Sequence, residues 1–284
     1  TITDVLSSAT QQDVVVLFPQ GAKIDEGSIT IPSNIKNIYF WGKEGDKQPE
    51  WTVKVVKLEG DKGIVKFTNM NLKNKGTDAD YIISPDAKAG NISSIQFEKC
   101  KISNTRGVVR FDKYTKQTDA ISIYNCVINN IGSYGIVNSK ITNDNCVKSI
   151  KITNATIANV EADGCIVNSQ QNGIEMAFTS CTFWNCGQGG KNFINLNSKN
   201  PVPVFDSCLL GWDSAIAMKA VSTKKVTCTN TYYTSDCTWS NGKIGEDMKA
   251  KGSEVFTNPS KNEFYLNDAY KDKYGTAGDP RWVK

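Results

Sequence analysis

A short pattern of apolar and small residues returns seven times along the chain, at intervals of 23 to 30 residues. Each copy reads apolar–x–x–small–x–apolar, and five copies place an Asn four residues after the small position. A period of this size in a chain rich in strand-forming residues predicts the stacked coils of a solenoid. The copies begin at Phe67, Phe97, Ile123, Ile152, Phe178, Phe205 and, more weakly, Cys228.

Each later coil carries a second, shorter apolar run. Runs of two or three residues joined by turns, without hairpin signals at regular spacing, favour parallel stacking between coils over an antiparallel sandwich. We therefore predict an all-β fold, a right-handed parallel β-helix with an N-terminal cap and an extended C-terminal tail. The second runs are Tyr81–Ile83, Gly107–Val109, Gly135–Val137, Cys165–Val167, Phe193–Ile194 and Ala215–Ala217.

The ends of the repeat set the expected organisation. An open solenoid end exposes unpaired strand edges and bare core, so a cap is expected there. We assign residues 1–34 to this cap and the first coil, with a short helix over Ile2–Thr10 whose N-cap is Thr3. Residues 35–239 form the coils, and residues 240–284 form a loop and a tail packed on them, within one structural domain.

Charge and composition narrow the chemistry. The net charge is +4, which is too low for a dedicated nucleic-acid binder, so no nucleic-acid partner is expected. The chain contains no His, which excludes Ser-His-Asp and Cys-His catalysis by its own residues. Any acid–base chemistry must come from carboxylates, Lys, Tyr or Cys.

Two columns of the repeat are interpreted as structural. Four of the nine Cys share the small slot, where a free thiol packs as a small apolar group, although disulfides between neighbouring coils stay open. The recurring Asn follows the first strand, where it tolerates a left-handed turn and can form an amide ladder. The alternative is that these Asn side chains form a row that binds sugar hydroxyls. This structural ladder comprises Asn74, Asn104, Asn130, Asn159 and Asn185.

A less regular polar column follows the second strands, and we take it as the candidate ligand-binding site. Coils stack at about 4.8 Å, so polar side chains in register can run beside an extended polysaccharide. Arg can hold a uronate carboxylate with two hydrogen bonds, and aromatic side chains in the flanking turns can stack on sugars. The alternative is an ordinary solvent-facing surface. The first column holds Arg110, Asn138, Asn168 and Asn195, the second holds Asp112, Lys140 and Gln170, and the flanking aromatics are Tyr114 and Tyr134.

Three segments support a resemblance: the cap with Val14–Gly21, the strand at Ile29–Ile35, and the end from Phe264 to Trp282. The β-helix repeat with its Asn ladder resembles the pectate-lyase-like superfamily, and these three segments more narrowly resemble β-helix lipoproteins of unknown function on the surface of Bacteroidetes. That resemblance implies a polysaccharide partner, a role in polysaccharide utilisation and a location at the cell surface or outer membrane. It also implies that membrane contact is made only through a lipidated segment removed from the N-terminus. We further expect a monomer.

Binding is favoured over catalysis. Lyases that the chain resembles use carboxylate-bound Ca²⁺, which needs several converging oxygen ligands. The nearest acidic residues by column, Glu98, Asp112 and Asp119, are separated by turns. We predict a glycan-binding protein with no catalytic residues, no metal site and no cofactor. The alternatives are a polysaccharide lyase, in which case Ca²⁺ is the expected cofactor, and a structural or adhesion module.

Overall fold

Short strands wind into a parallel β-helix of about eight turns in the computed structural model, which describes residues 1–139 and 146–283. The helices are α1 (Ile2–Ser8), α2 (Gly252–Val255) and α3 (Asp268–Tyr274), with single 3₁₀ turns at Pro259–Lys261 and Pro280–Trp282. The strands are β1 (Asp13–Phe18), β2 (Lys23–Ile31), β3 (Asn37–Gly42), β4 (Glu50–Leu58), β5 (Gly60–Thr68), β6 (Asn71–Lys73), β7 (Tyr81–Ile83), β8 (Ala89–Glu98), β9 (Lys101–Thr105), β10 (Gly107–Arg110), β11 (Thr118–Tyr124), β12 (Val127–Ile131), β13 (Val137–Ser139), β14 (Val147–Thr153), β15 (Thr156–Val160), β16 (Val167–Ser169), β17 (Glu175–Thr179), β18 (Thr182–Cys186), β19 (Asn192–Asn195), β20 (Val204–Asp206), β21 (Leu209–Gly211), β22 (Ile216–Val221), β23 (Thr227–Thr229), β24 (Tyr232–Tyr233), β25 (Cys237–Asn241), β26 (Glu246–Asp247), β27 (Phe256–Asn258) and β28 (Glu263–Leu266).

The solenoid has three faces, and all pairing between its coils is parallel. Face 1 is a nine-stranded sheet in the order β1-β3-β5-β8-β11-β14-β17-β20-β23. The long strands β2 and β4 turn a corner and join the other two faces into one sheet. Beyond β4, face 2 contains β6, β9, β12, β15, β18, β21, β24 and β26, and face 3 contains β7, β10, β13, β16, β19, β22 and β25.

Left-handed residues make the two regular corners of each coil. At the corner before face 2, φ lies between 44° and 53° in Asn69, Lys99, Asn125, Asn154, Ser180, Ser207 and Asn230. At the corner after face 2, φ lies between 49° and 56° in Asn104, Asn130, Asn159 and Asn185. Asn tolerates this conformation best among residues with a side chain, which explains its recurrence.

The predicted Asn ladder forms in two separate pieces. Asn130 donates a side-chain hydrogen bond to Asn104, and Asn185 donates one to Asn159 at 3.4 Å. Asn159 itself donates to the side-chain oxygen of Asn129 at 2.8 Å, so among the described residues no side-chain hydrogen bond links Asn159 to Asn130. Asn74 differs from the rest, because its amide donates to the carbonyl of Lys54 at 2.7 Å and its own φ is not left-handed.

The core is a set of inward-facing columns that run along the solenoid axis. Phe67 stacks on Phe97 with ring centroids 4.8 Å apart, and Phe178 stacks on Phe205 at 4.6 Å. All nine Cys are free thiols, and every one except Cys228 is buried. The Cys slot is therefore a packing column, as the sequence predicted, and the alternative of disulfides between coils is not realised.

The two ends differ from the prediction in detail. Helix α1 covers the N-terminal end of the core with Ile2 and Leu6, and its N-cap is Thr1, which forms a capping box with Asp4. The predicted cap residue, Thr3, lies inside the helix. The C-terminal tail is not extended throughout, because it contains α2, a β27–β28 hairpin and α3. It packs on the outside of face 2 in a second apolar cluster with Ala158, Trp184 and Leu209.

Candidate functional site

The predicted polar column exists as a register on face 3. Arg110 pairs with Asn138, Asn138 with Asn168, and Asn168 with Asn195. The column also continues toward the N-terminus through Ser84 and Lys57, because Val56 pairs with Ile83 and Ile83 with Val109.

The middle of this column is closed to solvent. Asn138 is 9% exposed and Asn168 is 3% exposed. Asn195 donates a hydrogen bond to the side-chain oxygen of Asn168 at 3.2 Å, and Asn138 donates to the hydroxyl of Tyr81, also at 3.2 Å. These amides bind one another and the neighbouring coils, so of the four predicted members of the column Arg110 and Asn195 are the partly exposed ones.

An aromatic and cationic cluster lies beside Arg110. The ring of Tyr81 covers Gly107, where any Cβ would collide with it. Arg106 stacks over the ring of Tyr134, with its guanidinium carbon 4.7 Å from the ring centroid, and Tyr134 is 43% exposed. Two of the three Arg in the chain therefore meet at this place.

The hydroxyl of Tyr81 is protonated at neutral pH. Burial raises the pKa of Tyr81 to about 12, and this effect outweighs the hydrogen bond from Asn138 and the positive charges of Arg106 and Arg110. The phenol therefore acts there as a hydrogen-bonding group and not as a ready base.

A polar cleft of about 170 Å³ opens on face 3 at the N-terminal side of this cluster. Its cationic side chains are Lys54, Lys57 and Arg110, and its carboxylates are Asp80, Asp86 and Asp112. Within the residues that the structure describes, neither lysine forms a salt bridge, whereas Arg110 and Asp112 approach to 3.4 Å. With charges of both signs, the cleft can bind sugar hydroxyls through its carboxylates and an anionic group through its cations.

The remaining predicted residues fall in different places. Asp112 lies in the cleft, and Gln170 is exposed on a later coil. Lys140 lies outside the residues that the structure describes. Tyr114 is a correction, because it is fully buried, packs on Phe111 and donates its hydroxyl to the Gly90 carbonyl at 3.0 Å. It cannot stack on a ligand.

Sequence reasoning missed four of the six charged residues of the cleft. The predicted column begins at Arg110, so the candidate site did not include Lys54, Lys57, Asp80 or Asp86. The repeat pattern could have shown that the column starts earlier. Tyr81–Ile83 is itself a second strand, and Ser84, the residue after it, aligns with Arg110.

Face 1 carries a second outward column that the sequence analysis did not single out. Register places Trp41, Thr68, Glu98 and Tyr124 on successive coils in this order. Trp41 is 44% exposed and Tyr124 is 40% exposed. The nearest charges are partly neutralised, since Lys66 pairs with Glu98 at 2.6 Å. At Trp41 and Tyr124 this face offers exposed aromatic contact area.

Carboxylates do not converge on a metal site in the described ranges, where no group of three or more potential ligands occurs. The three acids singled out from the sequence each have a cationic neighbour. Glu98 pairs with Lys66, Asp112 with Arg110, and Asp119 with Lys148 at 2.7 Å.

Comparisons with protein-family models and with curated proteins returned no match. The parallel β-helix is consistent with the pectate-lyase-like superfamily at the level of fold. In the described part of the chain, no helix is both long enough and apolar enough to cross a membrane.

Proposed function

We propose that this chain binds an acidic polysaccharide at the face 3 cleft beside Arg110. The observation that carries the proposal is the convergence of Lys54, Lys57 and Arg110 on one concave site, with two of these cations free of salt bridges in the described residues. A uronate carboxylate would replace Asp112 as the partner of Arg110, and Asp80 and Asp86 would accept hydrogen bonds from sugar hydroxyls.

The extended shape of a polysaccharide fits the way the coils stack. Lys57, Ser84 and Arg110 occupy one column on successive coils, about 4.8 Å apart. Arg106 and Tyr134 lie to one side of the column and offer a cation and an exposed ring. A chain of sugars along the solenoid axis would meet Lys57, Ser84 and Arg110 in turn.

Affinity electrophoresis tests the proposal directly. Gels containing polygalacturonate, alginate or chondroitin sulfate should retard the protein, and a neutral dextran gel should not. Arg110→Ala should weaken retardation roughly tenfold, because a charge-assisted hydrogen bond is lost. Lys151→Ala removes an equal charge from the exposed surface of face 1 and is the matched control.

The outcomes separate three possibilities. Equal loss in Arg110→Ala and Lys151→Ala would show non-specific charge attraction, and no retardation in any acidic gel would overturn the proposal. Release of unsaturated, ultraviolet-absorbing products in the presence of Ca²⁺ would show that the protein is a lyase.

The cellular setting is a separate part of the proposal and rests on the resemblance alone. We propose that the protein acts at the cell surface of a Bacteroidetes species, within a polysaccharide-utilisation system. Fractionation of cells that express the complete natural protein tests this, and recovery in the cytosol would contradict it.

A further inference from the structure

The C-terminal turn of the solenoid lacks one of its three sides in the described residues. Face 1 ends at β23, which pairs with β20 on one edge and with no strand on the other. After β25 the chain crosses directly to β26, which pairs with β24 on face 2. A strand of face 1 would lie between these elements in any earlier coil.

The backbone beside this gap has unmet hydrogen-bonding capacity. At six earlier corners the corner N–H donates to a carbonyl of the next coil, as in Ser180 to Asp206 and Ser207 to Thr229, both at 2.9 Å. Asn230 has the same left-handed corner, with φ of 44°, but no next face 1 strand follows it among the described residues.

The edge-facing groups of β23 follow from the pairing pattern. Thr227 donates to Pro203 at 2.9 Å, and Thr229 accepts from Ser207, so these two residues bond to the preceding coil. Alternate residues of a parallel strand bond to opposite neighbours. The N–H and C=O of Cys228 therefore point to the open side.

The segment between β25 and β26 crosses the C-terminal end of the solenoid and covers the core there, but it does not add a strand to face 1. Cys228 pairs with Phe205, whose ring is in the core, and its sulfur accepts a hydrogen bond from the N–H of Gly245 at 3.2 Å. Gly245 thus lies on the core side of β23. A cleft of about 680 Å³ lies between the edge and this segment.

The rim of the cleft carries an excess of positive charge. Lys224, Lys225 and Lys243 line it and are exposed, against the single carboxylate of Glu246. None of these three lysines forms a salt bridge within the described ranges of the chain.

We propose that β23 is a docking edge for an extended acidic peptide segment of a partner protein, which adds the missing strand of face 1. The peptide's backbone pairs with Cys228 and Asn230, as in strand addition to other exposed sheet edges. Its acidic side chains meet the lysines of the rim, and its apolar side chains meet Val226.

A fluorescent peptide of alternating Glu and Val residues is the probe, and anisotropy is the readout. Saturable binding is expected, and it should weaken as salt is raised. Two control peptides isolate the contributions: one is N-methylated at alternate residues and cannot pair as a strand, and the other carries Lys in place of Glu. Neither should bind.

Variants locate the binding on the protein. Lys243→Glu should weaken binding roughly fivefold, because one attraction becomes a repulsion. Lys36→Glu makes the same charge change on an exposed residue of the first coils and should leave binding unchanged.

Amide hydrogen exchange gives a test that needs no variant. In the free protein the amides of Cys228 and Asn230 should exchange faster than those of Ser180 and Ser207, and the peptide should protect them. Equal binding of the N-methylated peptide, protection elsewhere, or no binding overturns the proposal. A concentration-dependent rise in mass that is competed by the peptide would instead assign the edge to a second copy of the chain, and this would also overturn it.

Discussion

Asn168 and Gln170 both follow the second apolar run of their coil and lie two residues apart, but only Gln170 is exposed. Both were grouped as candidate ligands because residues beside an apolar pair point away from the core. The register of Asn168 with Asn138 and Asn195 was predictable from that periodicity. Its burial was not, because burial depends on the side chains and loops that pack over the strand.

Replacing Asn168 with Ala should destabilise the protein by about 1–3 kcal/mol, because the buried Asn168 side chain and the hydrogen bond that it accepts from Asn195 are both lost. Urea unfolding measures the change. Gln170→Ala is the control and should alter stability by less than about 0.5 kcal/mol, since exposed side chains contribute little. Equal effects in both variants would contradict a structural role for Asn168.

Tyr81 should make stability depend on pH in the alkaline range. Its pKa is raised from 10.0 to about 12 in the folded protein, so the folded state holds the phenol proton more tightly than the unfolded state. This contribution is complete below pH 10 and is lost as pH rises toward 12, at a cost of about 2 kcal/mol. Unfolding across this range should show a smaller alkaline loss in Tyr81→Phe than in the natural protein, and equal losses would show that the pKa is not raised.

Tyr114 shows the limit of reading single residues from sequence. The sequence places it in a turn that flanks the second strand, where its ring is expected to be exposed. In the structure the ring of Tyr114 packs in the core and its hydroxyl donates a hydrogen bond to a backbone carbonyl. Burial therefore leaves neither the apolar ring exposed nor the hydroxyl without a partner. Only tertiary packing distinguishes this placement from a surface one.

The corners are the elements that hold the coils in register. Asn130 has φ of 56° and donates a side-chain hydrogen bond to Asn104 on the preceding coil. Its column was visible in the sequence because Asn repeats there. The other corner column was missed, since Lys99, Ser180 and Ser207 share its left-handed backbone without sharing chemistry.

Asn130→Val should destabilise the protein by about 1–3 kcal/mol, because a β-branched residue is strained at positive φ. Asn130→Gly keeps the corner without strain and should cost less, so the difference between the two variants measures the backbone contribution. Thermal unfolding of both variants checks this. An equal loss in both variants would show that the side-chain hydrogen bond to Asn104, which both variants lack, dominates over the left-handed corner.

For the whole molecule, the sequence repeat predicted the β-helix and the columns of its core, because each coil must bury the same face against its neighbours. The tail was harder to predict because it does not repeat. Its docking depends on Asp279, which accepts from Thr156 at 2.7 Å and donates its N–H to Thr182 at 2.9 Å on the adjacent strand.

Asp279→Ala should loosen the tail from face 2. The hydroxyl of Thr156 loses its acceptor and Arg281 loses its ion pair at 3.2 Å, which should cost about 1–3 kcal/mol. Limited proteolysis should then cleave the tail faster. Asp272→Ala, an exposed change in α3, is the control and should leave the cleavage rate unchanged. Identical rates in both variants would show that Asp279 does not hold the tail.

The proposed glycan site combines residues from three successive coils, so it forms only when these coils stack on one another. The sequence predicted Arg110 and Asp112 as part of it, but the cleft forms only when Lys54, Lys57 and Asp86 are brought beside them by the stacking of β4, β7 and β10.

Hydrogen–deuterium exchange with a uronate oligosaccharide tests the central claim most directly, because it reports both binding and location. We expect protection in segments 54–57, 80–86 and 110–112, and its loss in Arg110→Ala. Protection confined to face 1 around Trp41 and Tyr124, or no protection by any uronate oligosaccharide, would contradict glycan binding at the face 3 cleft.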